Sequence, residues 1–353
     1  MNNLFIYPGS FDPPTYGHLH IVKKFLETYD QPLTIVCSEN PNKKAKWFAI
    51  EDIKKMWLTY ELPDKVEVIS LKELQEKDLR NLRLIMVRGI RDNKDVEYEK
   101  EIMRYNNKEY HINNFIYIYC DESFINVSST TVKNKALNFD FHDLYLEVSP
   151  GVIRYLWKHV LNVDDVIMVT GRPGSGKTTL IEEVVQQDSS IKYINVDKYN
   201  DILHPKLKRY FQTDDLLEVV KTREQEVISV ISKSWLDLLF KDMSLINQKF
   251  PETKIVLVEI AYGLQKNKEM YRFLGDHIIN IWCNDNELRN IKRNTEHLKY
   301  FIDKIPDKDE AIKICNKNRL KLYNVCTDKN WMPIAIVIGA MNLLPIIKKM
   351  AML

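Results

Sequence analysis

The sequence predicts an α/β protein with two domains, each built on a parallel sheet. Short apolar runs alternate with amphipathic segments along the chain, which is typical of strands and helices in parallel α/β sheets. Two loops, YPGSFDPPTYGH from Tyr7 and GRPGSGKT from Gly171, each follow an apolar run and precede a helical pattern. The length of 353 residues suits two domains of about 150 residues each.

In the first part of the chain, apolar runs predict strands and the amphipathic segments between them predict helices. The predicted strands are Leu4–Tyr7, Leu33–Cys37, Val66–Ser70, Leu84–Val87 and Phe115–Cys120. The predicted helices run over about 18–28, 50–61, 96–106 and 129–137. A further amphipathic helix begins near Ser149 and a new strand follows it, so the predicted domains are residues 1–162 and 163–353.

The second part begins with the predicted strand Val166–Val169, followed by the loop at Gly171 and a helix. Later predicted strands are Lys192–Asp197, Lys254–Ile260 and a run that begins at Ile278, and residues 299–329 are predicted to be mostly helical. The apolar segment 332–347 is predicted to form a strand, 334–338, and then a helix. It is shorter than the ~20 residues of a membrane-spanning helix and is interrupted by proline.

Composition limits the classes of function. Lys and Arg number 51 and Asp and Glu 49, so the net charge of +2 gives no case for nucleic acid or an anionic membrane surface as a partner. The five cysteines form no CxxC pair and no metal-ligand spacing with histidine, which indicates free thiols in a reducing compartment. No signal-peptide pattern follows Met1, so we expect a cytoplasmic protein. The sequence leaves the oligomeric state open and does not exclude a homo-oligomer.

The first loop combines groups that suit phosphate binding. Ser10 follows the strand and the turn Pro8–Gly9, and in open α/β sheets ligands bind outside the carboxyl ends of the strands. His18 lies at the start of the next helix, whose unpaired backbone amides attract phosphate, and Gly17 lets a ligand approach the backbone. Taken alone, this motif favours a proline-rich turn with a helix cap.

Three further motifs follow in order: NKK from Asn42, RGIRDNKDVEYE from Arg88 and SSTTVK from Ser128. Together with GSFDPPTYGH they resemble phosphopantetheine adenylyltransferase, a nucleotidyltransferase family, over about residues 4–160. The block at Arg88 is the most discriminating, because relatives that act on nicotinamide mononucleotide differ there. The segment Leu71–Leu82, where the pantetheine arm should lie, matches the family pattern poorly.

The resemblance implies a Rossmann-like nucleotidyltransferase domain with ATP as a substrate and Mg²⁺ as a cofactor. His18 would stabilise charge on the α-phosphate as it is attacked, Lys43 would bridge the phosphates of both substrates, and Arg91 would hold the outer phosphates of ATP. The implied ATP-binding residues are Ser10, Phe11, His18, Arg91, Glu99, Ser128, Ser129 and Thr130. The implied acceptor-binding residues are Ser10, Lys43, Arg88 and Asn106.

The second loop satisfies the pattern G-x-x-x-x-G-K-[ST] between a strand and a helix, which is the context that a P-loop requires. Lys177 would reach the β- and γ-phosphates of ATP, and Thr178 would bind Mg²⁺. Asp197 is the predicted catalytic partner of Lys177, as a proton acceptor or magnesium ligand, although capping of the next helix explains it equally well. Two arginines further on belong either to a lid or to a solvated helix face. The predicted ATP-binding residues here are Gly171, Gly174, Ser175, Gly176, Lys177, Thr178, Thr179, Arg289 and Arg293.

This second domain resembles a P-loop kinase of the dephospho-coenzyme A kinase type, so the whole chain looks like a bifunctional coenzyme A synthase. The implied partners are ATP, phosphopantetheine and dephospho-coenzyme A, with neither nucleic acid nor a membrane. Three alternatives stay open. One is a nicotinamide mononucleotide adenylyltransferase fused to a nicotinamide riboside kinase. Another is an adenylyltransferase fused to a kinase of a different small acceptor. The third is a regulator that binds nucleotide without turnover.

Overall fold

The computed structural model describes residues 2–39, 46–91, 99–101, 103–105, 107–108, 112, 114–261, 263–264, 270–283, 304–327 and 340–352. Its contacts divide the chain into two compact units, Met1–Val152 and Ile153–Leu353. The division falls within the helix Pro150–Leu161, whereas the sequence places the boundary after residue 162. The reason is that Arg154, on this helix, pairs with Asp165 and Asp276 of the second unit.

The first unit is built on a parallel sheet of five strands in the order β3-β2-β1-β4-β5. The strands are β1 Asn2–Gly9, β2 Leu33–Cys37, β3 Val66–Ser70, β4 Leu82–Ile90 and β5 Asn114–Tyr119. β2 pairs with one side of β1, and β3 pairs with the outer side of β2. β4 then pairs with the other side of β1. This reversal opens a crevice at the carboxyl ends of β1 and β4, where ligands bind in sheets of this type.

Helices cover the sheet of the first unit because each has an apolar face. They are α1 Tyr16–Tyr29, α2 Ile50–Trp57, α3 Leu71–Glu76 and α4 Ser129–Leu137; the next helix, α5 Pro150–Leu161, spans the division. α1, for example, buries Leu19, Val22 and Phe25. α2 ends at Trp57, earlier than the predicted end near residue 61, and the predicted helix over 96–106 lies partly outside the described residues.

The second unit is built on another parallel sheet of five strands, in the order β10-β9-β6-β8-β7. The strands are β6 Asp165–Thr170, β7 Ile191–Asn195, β8 Ile255–Glu259, β9 His277–Trp282 and β10 Lys321–Cys326. β6 and β8 are buried along their whole lengths, as expected for central strands covered on both faces. The prediction of two parallel-sheet α/β domains is therefore confirmed.

The remaining helices belong to the second unit, where one segment differs from the sequence prediction. They are α6 Lys177–Gln187, α7 Asn200–Phe211, α8 Leu216–Thr222, α9 Glu224–Lys249, α10 Tyr271–Leu274, α11 Lys308–Lys317 and α12 Ala340–Ala351. Residues 299–329 were expected to be mostly helical, but after α11 the chain forms β10, an edge strand with a polar, partly exposed surface. The predicted strand 334–338 lies outside the described residues. Among the described helices, none has the length and apolarity that a bilayer crossing needs.

α3 is a short helix that depends on its cap. The backbone N–H of Glu73 donates to Ser70 Oγ at 3.1 Å, and the N–H of Ser70 donates to the Glu73 carboxylate at 2.5 Å. Lys54 of α2 also donates to both Glu73 oxygens, at 2.8 Å each. These hydrogen bonds lower the pKa of Glu73 to about 2, with the Lys54 contact as the largest cause. The cap and the ion pair therefore act through the ionised carboxylate.

Glu73→Ala should lower the free energy of unfolding by about 1 kcal/mol at pH 7, because it removes the capping carboxylate and leaves the pair with Lys54 broken. The pKa of Glu73 is lowered from its ordinary value of 4.5 to about 2. Its stabilisation is thus complete above about pH 4.5 and is lost as the pH falls through about 2. Urea denaturation of the full chain at pH 7 and pH 3 measures both effects. Glu76→Ala, at the exposed end of the same helix, is the matched control, and an equal loss in both variants would contradict the capping role.

Candidate active sites

The loop after β1 is shaped by a buried aromatic side chain. Phe11 is 3% exposed and adopts a φ of +43°, a left-handed conformation that few non-glycine residues take. Its ring packs against Tyr7, Trp57 and His18 at centroid distances of 5.2 Å each. Phe11 was predicted to bind ATP, and the structure places its side chain beneath the loop as a support for the His18 ring.

Thr15 fixes the ring of His18. Thr15 is the N-cap of α1, and its backbone N–H donates to His18 Nδ1 at 3.0 Å while its hydroxyl lies 2.9 Å from the same nitrogen. Because Nδ1 accepts a hydrogen bond from a backbone amide, it carries no hydrogen, and the neutral ring must hold its hydrogen on Nε2. The imidazole is therefore oriented as a donor through Nε2, which is the role that phosphate binding requires.

One cavity of about 1120 Å³ lies at the carboxyl ends of β1 and β4. It occupies the crevice that the strand order creates, and it is bounded by the start of α1 and the start of α4. All the predicted first-unit site residues that the structure describes line this single cavity: Ser10, Phe11, His18, Arg88, Arg91, Glu99, Ser128, Ser129 and Thr130. The fold thus brings together residues that are up to 120 positions apart in the chain.

Arg88 and Glu99 form a two-pronged ion pair within this cavity. Arg88 Nε and Nη2 donate to the two Glu99 carboxylate oxygens at 2.8 and 2.6 Å, and Nη1 donates to the carbonyl of Pro8 at 2.9 Å. The side chains of Arg88 and Glu99 are 17% and 6% exposed. The family resemblance implies separate roles for them, Arg88 in acceptor binding and Glu99 in ATP binding. The pairing fixes the plane of the guanidinium, as bidentate geometry does.

The start of α4 offers backbone amides rather than serine hydroxyls. Ser128 is the N-cap, and its hydroxyl accepts from the N–H of Thr131 at 3.1 Å. Ser129 is buried, and its hydroxyl donates to the carbonyl of Pro13 at 2.8 Å. Both hydroxyls already have protein partners, whereas Thr130 is exposed at the cavity wall. A phosphate at this wall would meet the first amides of the helix and its positive dipole end.

The other half of the cavity is apolar. Its wall is formed by α3, the strand interiors and the following turn, with Gln75 as a polar group on α3. The apolar lining residues are Ile6, Val36, Leu71, Leu74, Leu79, Leu84, Met86 and Ile112. Several of them belong to one buried cluster, so the wall is a continuous surface. The cavity therefore joins a polar end at the strand termini to an apolar extension.

The loop between β6 and α6, which carries the P-loop motif, depends on its glycines. Gly171 has a φ of +142°, and a Cβ there would lie 2.0 Å from the carbonyl oxygen of Ile281, so only glycine fits. Gly176 is in the left-handed conformation and caps the start of α6. Lys177 is 7% exposed, and its Nζ donates to the carbonyls of Gly171 and Arg172 at 2.9 and 3.1 Å. Gly174 and Ser175 complete the turn, and Thr179 is exposed on α6.

Glu259 is a candidate site residue that the motif did not reveal. β8 lies beside β6 in the sheet, so the end of β8 meets the P-loop. Glu259 is 1% exposed, and one of its oxygens accepts from Thr178 Oγ1 at 2.7 Å. Burial raises the pKa of Glu259, and the Thr178 hydrogen bond and Lys177 oppose the increase. The signal available in the sequence was an acidic residue at the end of a predicted buried strand. Only the order of the strands in the sheet shows that Thr178 is its neighbour.

Asp197 lies in the turn that follows β7, in the short helix Val196–Tyr199. Desolvation raises the pKa of Asp197, and the charge of Lys177 opposes the increase. Its backbone N–H donates to Asn195 Oδ1 at 2.9 Å, so Asn195 and not Asp197 is the cap of this turn. A cavity of about 270 Å³ lies between β7 and α9; Asn195, Lys198 and Tyr199 line it, and Asp197 is not among its lining residues.

Four predicted site residues, Lys43, Asn106, Arg289 and Arg293, lie outside the described residues. Among the residues that the structure does describe, no cluster of three or more His, Cys, Asp or Glu could hold a metal ion. The pair of Thr178 and Glu259 is a smaller donor set. It suits a hard cation that also takes oxygen ligands from phosphates and water.

Comparison with known proteins assigns the first unit. Residues 6–135 match the family model described as cytidylyltransferase-like. A phosphopantetheine adenylyltransferase of Thermotoga neapolitana is 32% identical over 158 residues, which cover 43% of this chain and 94% of that protein. The phosphopantetheine adenylyltransferase of Petrotoga mobilis is 33% identical over 135 residues, covering 37% and 80%.

Among solved structures, a crystal structure of NadR protein in complex with NR covers 100% of this chain and 97% of its own. Its sequence identity to this chain is 14% and the TM-score is 0.35. The assignment of the first unit therefore rests on the sequence relatives.

Proposed function

The chain belongs to the phosphopantetheine adenylyltransferase family, and from this premise we propose that its first unit transfers the adenylyl group of ATP to 4′-phosphopantetheine. In this reaction a phosphate oxygen of the acceptor attacks the α-phosphorus of ATP. The bond between the α-phosphorus and the bridging oxygen breaks, and pyrophosphate leaves. The products are dephospho-coenzyme A and pyrophosphate, and no covalent bond to the protein is needed.

The two-part cavity is the observation that carries this proposal. Its polar end suits the phosphates of both substrates, and its apolar wall suits an acceptor with a partly apolar arm. Phosphopantetheine has such an arm, with a geminal dimethyl group and amides. Nicotinamide mononucleotide has a polar ribose and a charged ring, which would bury less apolar surface against the leucines of α3.

Each described residue has a proposed task in the transfer. His18 donates from Nε2 to an α-phosphate oxygen, where negative charge develops in the transition state. Arg91 and the first amides of α4 bind the β- and γ-phosphates, which become the leaving group. Arg88, held in plane by Glu99, binds the acceptor phosphate. Lys43, which lies outside the described residues, keeps the role that the resemblance implies, toward the phosphates of both substrates.

The acceptor assignment is tested by incubating the full chain with Mg-ATP and either 4′-phosphopantetheine or nicotinamide mononucleotide. Pyrophosphate release and the mass of the product are measured for each acceptor. Rapid formation of dephospho-coenzyme A, with little turnover of nicotinamide mononucleotide, is the expected result. Faster turnover of nicotinamide mononucleotide would show that the proposed acceptor is wrong and that the proposed adenylyl transfer is correct. Turnover of neither acceptor would favour a nucleotide-binding regulator.

For the second unit we infer a kinase that phosphorylates the ribose 3′-hydroxyl of dephospho-coenzyme A. The hydroxyl oxygen attacks the γ-phosphorus of ATP, ADP leaves, and the hydroxyl proton passes to Asp197. Lys177 and the P-loop amides bind the phosphates, and Asp197 follows β7, which pairs with the Glu259 strand β8 in the sheet. The reaction also consumes the product of the first unit, which favours this acceptor over others.

Mg²⁺ fits the pair of Thr178 and Glu259. The second carboxylate oxygen of Glu259 is buried and has no hydrogen-bond partner among the described residues. Such an oxygen is costly unless a cation or donor occupies the site during the catalytic cycle. Mg²⁺ bound here would neutralise phosphate charge during the transfer. Thr178 Oγ1 and Glu259 are thus the residues proposed to hold it.

Glu259→Gln should reduce phosphorylation of dephospho-coenzyme A about 100-fold and leave adenylyl transfer unchanged, because it removes the charge that holds the cation. Burial raises the pKa of Glu259, so the wild-type kinase should lose activity on the acid side at a pH above the ordinary value of 4.5. The glutamine variant should lack this limb of the pH profile. Glu183→Gln, on the exposed face of α6, is the matched control. Equal activity of the Glu259 variant and the control would contradict the role of Glu259.

A further inference from the structure

Asp12 is a buried acid of the first unit to which the proposed mechanism gives no task. It is 4% exposed and does not line the cavity, although Ser10 and Phe11, just before it in the loop, do. We propose that Asp12 and Lys133 are a positioning pair that fixes the start of α4 against the loop after β1, and so sets the triphosphate half of the cavity. This inference rests on the proposed adenylyl transfer.

The carboxylate of Asp12 joins three segments of the chain. One oxygen accepts from the backbone N–H of Trp47 at 3.1 Å, and the other accepts from the N–H of Phe48 at 3.2 Å. Lys133, on α4, donates to the first of these oxygens. The side chains of Asp12 and Lys133 are 5% and 13% exposed, so the ion pair lies in a region with little water. Lys133 Nζ also lies 5.4 Å from the centroid of the Trp47 ring.

Two neighbouring residues are held in the same way. The carbonyl of Pro13 accepts from Ser129 Oγ at 2.8 Å, and the carbonyl of Pro14 accepts from Tyr60 Oη at 2.8 Å. Residues 12–14 therefore contact α4 twice, at Lys133 and at Ser129. Two contacts one helical turn apart fix both the position and the rotation of the helix start. Ser128, Ser129 and Thr130, at this start, line the cavity.

The burial of the pair indicates positioning rather than stability as its main effect. A buried ion pair costs nearly as much desolvation energy as its attraction returns, so it adds little to the free energy of unfolding. Its strict geometry does hold two segments in one arrangement. Since Ser10 and Ser128–Thr130 line the same cavity from different elements, a shift of α4 changes the space for the outer phosphates of ATP. The acceptor end, at Arg88 on β4, lies on a separate element.

Asp12→Asn and Lys133→Met should each raise the KM for ATP about 10-fold, while the KM for phosphopantetheine changes little. The double variant should be no worse than either single variant, because the two residues act as one unit. A loss of folded protein alone would lower kcat and leave both KM values unchanged. Lys135→Met is the matched control, because Lys135 lies on the same helix and pairs with Glu147, away from the cavity.

Binding of a non-hydrolysable ATP analogue gives a second measurement that does not need turnover. It is made in a Lys177→Ala background, so that the P-loop contributes little to the signal. Affinity should fall about 10-fold in the Asp12 and Lys133 variants and stay the same in the Lys135 variant. Circular dichroism confirms folding, and the milder Lys133 variant decides the matter if Asp12→Asn does not fold. Unchanged ATP affinity in a folded Lys133 variant would overturn the positioning role. If the wild-type chain does not adenylate phosphopantetheine, the proposed acceptor is wrong, and the binding results still support or overturn the pair.

Discussion

His18→Ala should lower adenylyl transfer to phosphopantetheine by about 1000-fold and leave phosphorylation of supplied dephospho-coenzyme A unchanged. The ring of His18 is fixed by Thr15 and Phe11 so that Nε2 is its donor, and alanine removes that donor. The charge that develops on the α-phosphate is then stabilised less. Pyrophosphate release measures the first activity, and coenzyme A formation from supplied dephospho-coenzyme A measures the second.

His20→Ala is the matched control for this variant. His20 lies on the same helix, where it contacts Asp121 at 3.3 Å and stacks on Phe124, and it is not among the cavity-lining residues. It should retain most of the adenylyl transfer activity. Equal losses in both variants would indicate a general effect on α1. Loss of both activities in a folded His18 variant would contradict two independent sites.

Lys177→Ala should abolish phosphorylation of dephospho-coenzyme A and leave adenylyl transfer intact, so that dephospho-coenzyme A accumulates from phosphopantetheine and Mg-ATP. Lys177 supplies the point charge for the β- and γ-phosphates, and its Nζ is already held at the mouth of the P-loop by two carbonyls. Loss of such a charge typically costs about 100- to 1000-fold in rate. Mass spectrometry of the products over time distinguishes accumulation from full conversion.

Lys206→Ala, on the exposed surface of α7, serves as the control for a general loss of positive charge in the second unit. It should convert phosphopantetheine to coenzyme A at the wild-type rate. Continued formation of coenzyme A by the Lys177 variant would show that the P-loop does not carry the second reaction. Loss of adenylyl transfer in that variant would show that the two sites depend on each other.

The fold class followed from the sequence because buried parallel strands are nearly continuous apolar runs. β2 and β8 are buried at every position, and their runs stand out from the amphipathic helices beside them. β10 could not be found in this way. It is an edge strand that begins at an exposed lysine and is fully buried only at its last two residues. Pairing with β9, and not local pattern, makes it a strand.

The residues of the candidate sites show the same division between those that a local pattern predicts and those that depend on tertiary contacts. Residues within motifs, such as His18, Arg91 and Lys177, could be predicted as site residues from the sequence because their spacing is local. Partners that depend on tertiary contacts were not. Arg88 lies near the end of β4 and pairs with Glu99, 11 residues further along the chain. Thr178 donates a hydrogen bond to Glu259, and the two are close only because β6 and β8 are neighbours in the sheet.

The ion pair between Asp12 and Lys133 joins residues 121 positions apart. No periodicity or local spacing in the chain reports such a contact.

The central claim is that one cavity of the first unit aligns ATP with a second phosphorylated molecule. A crystal structure of the full chain with a non-hydrolysable ATP analogue and 4′-phosphopantetheine tests it most directly. The expected result is a triphosphate contacted by both His18 and Arg91, with the acceptor phosphate at Arg88 and its arm along the leucines of α3. A triphosphate that reaches only one of these two residues, or an acceptor bound outside the cavity, would contradict it.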